Sequence, residues 1–316
     1  MIISLAPLQS YTEFPFRNAL NNIGGIDKFY TPFIRYENNK SIKNKHIKDI
    51  LPENNKNINL TPQVLTNNSE DFINIIKIVN DLGYNKINWN LGCPFPMVTK
   101  RKMGAGLLPY PEQVYKILED VMSKTNTKIS IKLRSGYTDN TEIYKIIETL
   151  NNFKLEEIIL HPRIAKQMYK GVADINIYTN SKPLSLNKIA YNGDINSIEK
   201  YEYLKNKLPN TNHFMIGRAL ISNPFLALEI KTGKKLNDLK KRELFAYFYN
   251  SLFEYYSQSL SGKTHILNKL LSFWGYFSLM FIDNKKIIKT LKKSKTIEIF
   301  NHNTAFFINN NEFKQS

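Results

Sequence analysis

Eight short apolar runs recur along the chain, with helical patterns between several of them. Most of the runs are nearly continuous in apolar residues, which is typical of strands buried on both faces. Eight such strands alternating with helices predict an α/β fold, the closed (β/α)8 or TIM barrel. The predicted strands are Ile2–Leu8, Lys28–Ile34, Ile58–Leu65, Lys86–Asn90, Lys128–Arg134, Glu157–His161, Lys188–Asn192 and His213–Gly217.

Helical spacing of apolar residues marks several of the connecting segments. The segment Ser69–Leu82 has this spacing, and Ser69 is its predicted N-cap. Pro111–Met122 and Ser197–Leu208 show the same pattern. Arg35–Lys56 is polar and rich in Asn and Lys, so we predict an elaborated loop there.

The pattern changes near residue 235. From Lys240 onward, aromatic and apolar residues repeat with helical period. A late candidate helix, Asp283–Lys293, carries lysines on one face and apolar residues such as Ile287 and Leu291 on another. We therefore predict two domains, a catalytic barrel over residues 1–235 and a small all-helical domain over residues 236–316.

The charge balance and the cysteine count narrow the class of protein. Lys and Arg number 44 against 27 Asp and Glu, a net charge of +17, and such a field attracts polyanions such as nucleic acid. One cysteine excludes an internal disulfide and fits a reducing compartment. The amino terminus has no basic leader or cleavage site, and the apolar stretch Leu270–Ile282 is too short to span a bilayer. We expect a soluble cytoplasmic protein without a membrane partner.

Almost every predicted strand ends in a polar or thiol side chain. In a parallel barrel, the loops that follow the strands carry the active site. Each side chain alone is compatible with a structural role, but together at one end of a barrel they predict a cofactor site. Glycines after the seventh and eighth strands are suited to a phosphate, and a Lys and a His on the preceding strands are suited to an electron-rich ring such as a flavin. In chain order the residues are Gln63, Asn90 with Cys93, Lys132 with Arg134, His161 with Arg163, Asn192-Gly193-Asp194 and Gly217-Arg218.

The motifs around these residues resemble the tRNA-dihydrouridine synthase family over the whole barrel, and they occur in the family's order. A basic helical region after the barrel also fits that family. The motifs are Leu5-Ala6-Pro7 with Thr12, Phe16 and Arg17; Pro62-Gln63; Asn90-Leu91-Gly92-Cys93-Pro94; Gly104-Ala105-Gly106-Leu107-Leu108; Ile131-Lys132-Leu133-Arg134 with Gly136; His161-Pro162-Arg163 with Gln167 and Tyr169; Asn192-Gly193-Asp194-Ile195; and Met215-Ile216-Gly217-Arg218.

Three positions depart from the family's usual pattern. Leu8 stands where Met is common, and we expect it still to pack against a flavin. Glu13 ends a Ser-Tyr-Thr-Glu stretch that replaces Gly-x-Thr-Asp, which leaves the role of its carboxylate open. Ile164 replaces a Thr after the His-x-Arg motif.

The resemblance implies FMN across the barrel mouth, NADPH as its reductant and tRNA as substrate. A uridine flipped out of the tRNA would receive a hydride at C6 from FMN N5 and a proton at C5 from Cys93, the general acid. The implied FMN-binding residues are Ala6, Pro7, Leu8, Gln63, Lys132 and His161 near the ring, and Asn192, Gly193, Asp194, Gly217 and Arg218 near the phosphate. The implied substrate-binding residues are Asn90, Lys100, Arg101, Lys102, Arg134, Arg163, Lys285, Lys289 and Lys292.

Two other functions remain open on the sequence. A flavin-dependent barrel reductase of a small molecule, of the dihydroorotate or ene-reductase type, would share the phosphate loops. A basic RNA-binding protein without catalysis would share the charge. The sequence does not identify the target uridine, nor does it decide between NADPH and NADH. We expect a monomer with no metal and no protein partner.

Overall fold

A computed structural model describes residues 1–37 and 41–314. Within them, nine parallel strands form one sheet in the order β3-β2-β1-β9-β8-β7-β6-β5-β4. All eight predicted strands are found. The strands are β1 (Ile2–Leu5), β2 (Lys28–Tyr30), β3 (Leu60–Thr61), β4 (Gln63–Val64), β5 (Lys86–Leu91), β6 (Lys128–Gly136), β7 (Glu157–Ile164), β8 (Ile189–Asn192) and β9 (His213–Ile216).

The two outermost strands of this order, β3 and β4, are halves of one run that is divided at Pro62. Proline has no backbone N–H, so it interrupts the ladder. The Pro62 carbonyl still accepts a hydrogen bond from the Asn88 N–H at 2.8 Å, and the Gln63 N–H donates to Thr31 Oγ1 at 2.9 Å. Since β3 pairs with β2 and β4 pairs with β5, the sheet closes. The predicted TIM barrel is therefore confirmed.

Helices connect the strands and make up the carboxyl-terminal region. Three of them, α3, α5 and α8, lie where the sequence predicts them, and helices follow residue 235 as expected. No helix in residues 1–37 and 41–314 is long and apolar enough to cross a membrane. The helices are α1 (Phe14–Ile23), α2 (Asn44–Ile50), α3 (Ser69–Asp81), α4 (Pro96–Thr99), α5 (Pro111–Met122), α6 (Glu142–Leu150), α7 (Ile175–Ser181), α8 (Ile198–Lys207), α9 (Arg218–Ser222), α10 (Leu226–Thr232), α11 (Asp238–Ser259), α12 (Lys263–Phe277), α13 (Asn284–Lys292) and α14 (Ile297–Asn310).

Two local predictions need correction. The N-cap of α3 is Asn68, not Ser69, because Asn68 has the extended backbone of a cap and its Oδ1 accepts from the Asp71 N–H at 2.8 Å. Ser69 is the first helical residue, and its hydroxyl donates to Asp120 instead. The predicted loop Arg35–Lys56 contains the helix α2, and its residues 38–40 lie outside the described residues.

The chain divides into two compact units. The first consists of Met1–Gln9, Asp27–Asp194 and Leu204–Ile216, and therefore contains all the strands. The second consists of Ser10–Ile26, Ile195–Tyr203 and Gly217–Ser316. This division does not coincide with the predicted boundary at 235/236, since the second unit also takes in α1, α9 and α10. That boundary stays a prediction.

The core of the second unit is built largely of aromatic rings. Phe245 of α11 lies at the centre, with ring centroids 5.3 Å from Phe277 and 6.0 Å from Trp274, both on α12. Phe16 of α1 stands edge-on to Phe248 of α11 at 5.4 Å. Aromatic side chains bury a large area each, and these edge-to-face contacts join helices that are far apart in sequence.

In the first unit, alternate side chains of the strands face the barrel interior. Trp89 of β5 packs on Phe72 of α3, with ring centroids 5.6 Å apart, so its neighbours Asn88 and Asn90 point to the opposite, interior face. Five buried hydrophobic residues in or next to β2, β1, β9, β8 and β7 pack together, and we call them the apolar cluster. Its members are Ala6, Tyr30, Ile159, Ala190 and Met215.

Candidate active site at the carboxyl ends of the strands

The loop after β5 is held by the side chain of Asn90. Its Oδ1 accepts from the backbone N–H groups of Gly92, at 3.0 Å, and Cys93, at 2.9 Å. The Cys93 carbonyl in turn accepts from the Ala105 N–H at 3.0 Å. Gly104 has a φ of +56°, and a Cβ there would lie 2.9 Å from the Cβ of Cys93, so this position requires glycine. Two chain segments thus fix the position of Cys93.

The Cys93 thiol sits in an apolar pocket. The residue is 8% exposed and packs with Leu65 and Val98, against the partly buried side chains of Phe33 and Met103. Burial raises the pKa of the Cys93 thiol, although a backbone N–H and nearby cations act against that rise. The thiol therefore stays protonated near neutral pH, which suits a proton donor rather than a nucleophile.

Below this loop lies a set of buried side chains joined by hydrogen bonds, which we call the polar network. Gln63 Nε2 donates to Asn88 Oδ1 at 2.7 Å, and Asn88 Nδ2 donates to Ser130 Oγ at 2.8 Å. Asn90 Nδ2 donates to Gln63 Oε1 at 2.8 Å. The four members are at most 7% exposed, and buried polar atoms are tolerated only when they are paired in this way. Asn88 and Ser130 are not among the predicted site residues, although each lies two residues before one of them and hence on the same face.

Lys132 lies on the interior face of β6, in register with Asn90 of β5. Among the residues that the structure describes, none forms a hydrogen bond or ion pair with its ammonium group. Burial, together with the positive charge of Arg134, lowers the pKa of Lys132 to about 7. An unpaired amine in the interior of a barrel favours a bound ligand that offers acceptor atoms or negative charge.

His161 of β7 is oriented by Arg163. Arg163 Nη1 lies 3.2 Å from His161 Nε2, and because an arginine can only donate, Nε2 must accept. A neutral ring then carries its proton on Nδ1. The same guanidinium contacts both carboxylate oxygens of Asp194, at 2.9 and 2.7 Å, and the Gly171 carbonyl. Arg163 is 2% exposed, so the predicted contact with substrate stays a prediction.

Arg134 joins the Cys93 loop to the segment that follows β7. Its guanidinium donates to three backbone carbonyls, those of Gly92 at 3.1 Å, Ile164 at 2.9 Å and Met168 at 2.7 Å. Its exposed fraction is only 2%. This geometry favours a positioning role for Arg134, and the predicted contact with substrate stays a prediction.

The remaining predicted cofactor residues of the first unit lie at the ends of β1 and β8. The Ala6 N–H donates to the Ile216 carbonyl at 2.8 Å, and Pro7 and Leu8, which follow Ala6, are partly buried. The Asn192 amide donates to the Met215 carbonyl at 2.8 Å. At Gly193, a Cβ would lie 2.7 Å from the Cβ of Ala173, so only glycine fits this close approach.

The predicted phosphate residues Gly217 and Arg218 belong to the second unit. Gly217 directly precedes α9 and its carbonyl accepts from the Leu220 N–H at 2.9 Å. Arg218 is exposed.

The second unit also gives Glu13 a partner. The Lys269 ammonium lies 3.1 Å from the Glu13 carboxylate and donates to the Ser10 carbonyl at 2.6 Å. It also stacks on the ring of Tyr256, 4.7 Å from the centroid. Glu13 thus anchors the segment after β1 to α12.

Two groups of predicted RNA-binding cations are exposed, one in each unit. In the first unit, Lys100, Arg101 and Lys102 follow the short helix α4. In the second unit, the exposed face of α13 carries Lys285, Lys289 and Lys292, while Ile287 and Leu291 are buried. Throughout residues 1–37 and 41–314, no three His, Cys, Asp or Glu side chains are grouped so that they could hold a metal ion.

Known proteins with similar sequences carry a common name. The tRNA-dihydrouridine synthase B of Pasteurella multocida is 24% identical over 328 aligned residues, covering 91% of this chain and 96% of that protein. The tRNA-dihydrouridine(16) synthase of Neisseria meningitidis is 29% identical over 238 residues, covering 72% of this chain and 71% of its own length.

Among solved structures, a complex of 2-naphthoyl-CoA reductase superposes with a TM-score of 0.57 at 8% identity, covering 73% of this chain and 50% of that one. At this identity the likeness concerns the fold alone. A family model described as dihydrouridine synthase (Dus) matches residues 4–304. Because that match spans nearly the whole sequence, including β2 to β9 and the loop that holds Cys93, the chain belongs to the dihydrouridine synthase family.

Proposed function

We propose that the protein reduces uridines of tRNA to 5,6-dihydrouridine, with FMN as its cofactor and NADPH as the reductant. The observation that carries the proposal is Cys93, a buried and protonated thiol that Asn90 holds at the mouth of the barrel. Membership of the dihydrouridine synthase family supports the reaction, and the names of the relatives from Pasteurella and Neisseria support tRNA as the substrate.

The residues present fit a flavin. Lys132 offers an ammonium group that has no protein partner in the described part of the chain, and its lowered pKa of about 7 would rise against an electron-rich ring edge. Gln63, His161 and the Ala6–Leu8 segment would complete the surroundings of the ring. When bound and reduced, FMN supplies the hydride that uracil C6 receives.

For the phosphate, the first unit offers the loop Asn192–Asp194. Both polar side chains of this loop have protein partners, because Asn192 donates to Met215 and Asp194 pairs with Arg163. Backbone N–H groups of this loop would therefore bind the phosphate, and Arg163 would neutralise the Asp194 carboxylate, which otherwise repels an anion. The roles of Gly217 and Arg218 at the phosphate stay predictions.

Cys93 would supply the proton that completes the reduction. Its S–H bond breaks as a C–H bond forms at C5, and the thiolate that remains takes a proton from water. Lys132 and Arg134 stabilise the thiolate, because their charges act to lower the pKa of Cys93. Asn90 keeps the loop in place through its Oδ1, and one hydrogen of its amide is left for a carbonyl of the base.

The C5–C6 bond of a stacked uridine is inaccessible, so the base must leave the stack before it can react. Lys100, Arg101 and Lys102, shortly after Cys93, would hold phosphates next to the flipped nucleotide. The lysine face of α13 would hold other parts of the tRNA. Charge reversal at Lys285, Lys289 and Lys292 should then raise the KM for tRNA and leave the oxidation of NADPH by FMN unchanged. Unchanged tRNA kinetics would contradict this clamping role.

The decisive experiment is mass-spectrometric nucleoside analysis of unmodified tRNA after incubation with the protein, FMN and NADPH. We expect dihydrouridine, and fragment mapping would then give the modified position. If the protein binds and reduces FMN but forms no dihydrouridine, a reductase of a small molecule becomes the better account of the same site.

A further inference from the structure

The segment after the catalytic cysteine exposes two large apolar side chains. Phe95 is 50% exposed and Met97 is 78% exposed, two and four residues beyond Cys93. Single exposed apolar residues are common on protein surfaces, but two of them this close to a reacting group need a reason.

The backbone presents these side chains rigidly. Pro94 and Pro96 restrict the backbone on both sides of Phe95. The Phe95 carbonyl accepts from the N–H groups of Val98, at 2.8 Å, and Thr99, at 3.0 Å, and the helix α4 begins directly after Phe95. Val98 itself packs with the Cys93 thiol. A surface that is already ordered loses little conformational entropy when it binds a partner.

The charge around this surface selects the partner. Lys100, Arg101 and Lys102 follow directly and are exposed, and Lys102 stacks over the Tyr110 ring at 4.2 Å. No Asp or Glu occurs in the sequence between Asp81 and Glu112. Aromatic side chains beside a run of cations are the combination that binds unstacked bases and their phosphates, whereas a protein partner would require no such charge.

We propose that Phe95 and Met97 form a stacking surface for the bases that flank the flipped uridine of the substrate RNA. The inference rests on the proposed function. Removing one base from a stack leaves the faces of its neighbours uncovered, and apolar side chains commonly fill such a gap. The target base would reach the Cys93 thiol while Phe95 and Met97 cover the adjacent bases, so that binding and positioning are performed by one short segment.

The test is Phe95→Ala, measured by direct binding of unmodified tRNA and by steady-state kinetics. We expect the Kd and the KM for tRNA to rise roughly 5- to 100-fold, which is the range for loss of one stacked base. Phe95→Trp should bind as the wild type does, and Met97→Ala should show a smaller loss. The oxidation of NADPH by FMN should stay unchanged, because that step involves neither the bases of the tRNA nor the Cys93 thiol.

Leu186→Ala is the matched control. Leu186 is 84% exposed and lies before β8, at the amino ends of the strands, and we expect no effect there on tRNA binding. Equal tRNA affinity in Phe95→Ala and the wild type would overturn the proposal and favour a protein partner for this surface. Absence of dihydrouridine with the wild type would count against the proposed function instead. The role of Phe95 is still tested in that case, because tRNA binding is measured without any reaction.

Discussion

The barrel interior has two sides that are built differently. Across β4, β5 and β6 it holds the polar network of Gln63, Asn88, Asn90 and Ser130, in which each side chain is hydrogen-bonded. Across β2, β1, β9, β8 and β7 it holds the apolar cluster, and we call this the apolar side. Nearer the amino ends of these strands, Ser4, His213 and Glu157 are joined by buried hydrogen bonds of their own. The apolar cluster itself fills volume, and its contacts have no required direction. The polar side has directional bonds, and it ends at the loop that carries Cys93. The position of Cys93 thus depends on directional hydrogen bonds between buried polar side chains, which are costly to bury unless they are paired.

The largest effect on the reaction rate is expected at Cys93, in the loop where the polar side ends. Cys93→Ala should lower the rate of dihydrouridine formation about 10²- to 10⁴-fold, because a positioned general acid contributes that much. Binding of FMN and its reduction by NADPH should be unaffected, as measured by absorbance at the flavin band. A variant that retained a tenth of the wild-type rate would show that water can replace the thiol.

The second effect concerns Lys132, whose register partners are Asn90 on the polar side and Ile159 on the apolar side. Its pKa is about 7 in the folded protein without ligand, whereas an unfolded chain keeps the proton up to a pKa of about 10.4. The unfolded state therefore binds more protons between these values, so stability rises with pH, by up to about tenfold in the folding equilibrium per pH unit.

Lys132→Met should remove this dependence. Urea unfolding of both proteins without FMN, between about pH 7 and 9, provides the measurement. Parallel curves for the two proteins would mean that Lys132 has no lowered pKa.

A third, smaller effect is expected within the polar network itself. Gln63→Met conserves bulk but leaves Asn88 Oδ1 and one Asn90 N–H without a partner. The free energy of unfolding should fall by about 1–3 kcal/mol, and the rate should fall as well because Asn90 loses its support. A loss of stability without any change in rate would show that the polar network does not position the Cys93 loop.

The smallest effect is expected on the apolar side. Met215→Leu conserves volume in the apolar cluster, so the free energy of unfolding should change by less than about 1.5 kcal/mol. The rate of dihydrouridine formation should match the wild type. If this substitution slowed the reaction as much as Gln63→Met, the two sides would not differ in function.

The barrel was predictable because buried parallel strands have a local signature. Runs such as Ile158-Ile159-Leu160 are apolar on both faces, and short-range pattern is sufficient to find them. Local pattern could not choose between Asn68 and Ser69 as N-cap, since both residue types are good caps. The hydroxyl of Ser69 is bonded instead to Asp120, which lies far away in the sequence.

The sequence predicted which residues belong to the candidate site better than it predicted what each of them contacts. The position of Arg134 after a strand did not reveal that its guanidinium binds three carbonyls from two separate segments. Likewise, the pairing of Glu13 with Lys269 joins residues 256 positions apart, which no sequence window contains. Asn88 and Ser130 were recoverable, since alternation along β5 and β6 places them beneath Asn90 and Lys132.

The division of a strand at Pro62 affects how the barrel wall could open between β2 and β4. At this point the Gln63 N–H is bonded to the hydroxyl of Thr31 rather than to a backbone carbonyl. A backbone pair survives almost any substitution, but this one depends on a single side-chain oxygen. Exchange of Thr31 for the isosteric Val would leave the amide of a network residue without an acceptor in a dry interior. Amide hydrogen exchange at Gln63 therefore reports how often this point of the barrel wall opens.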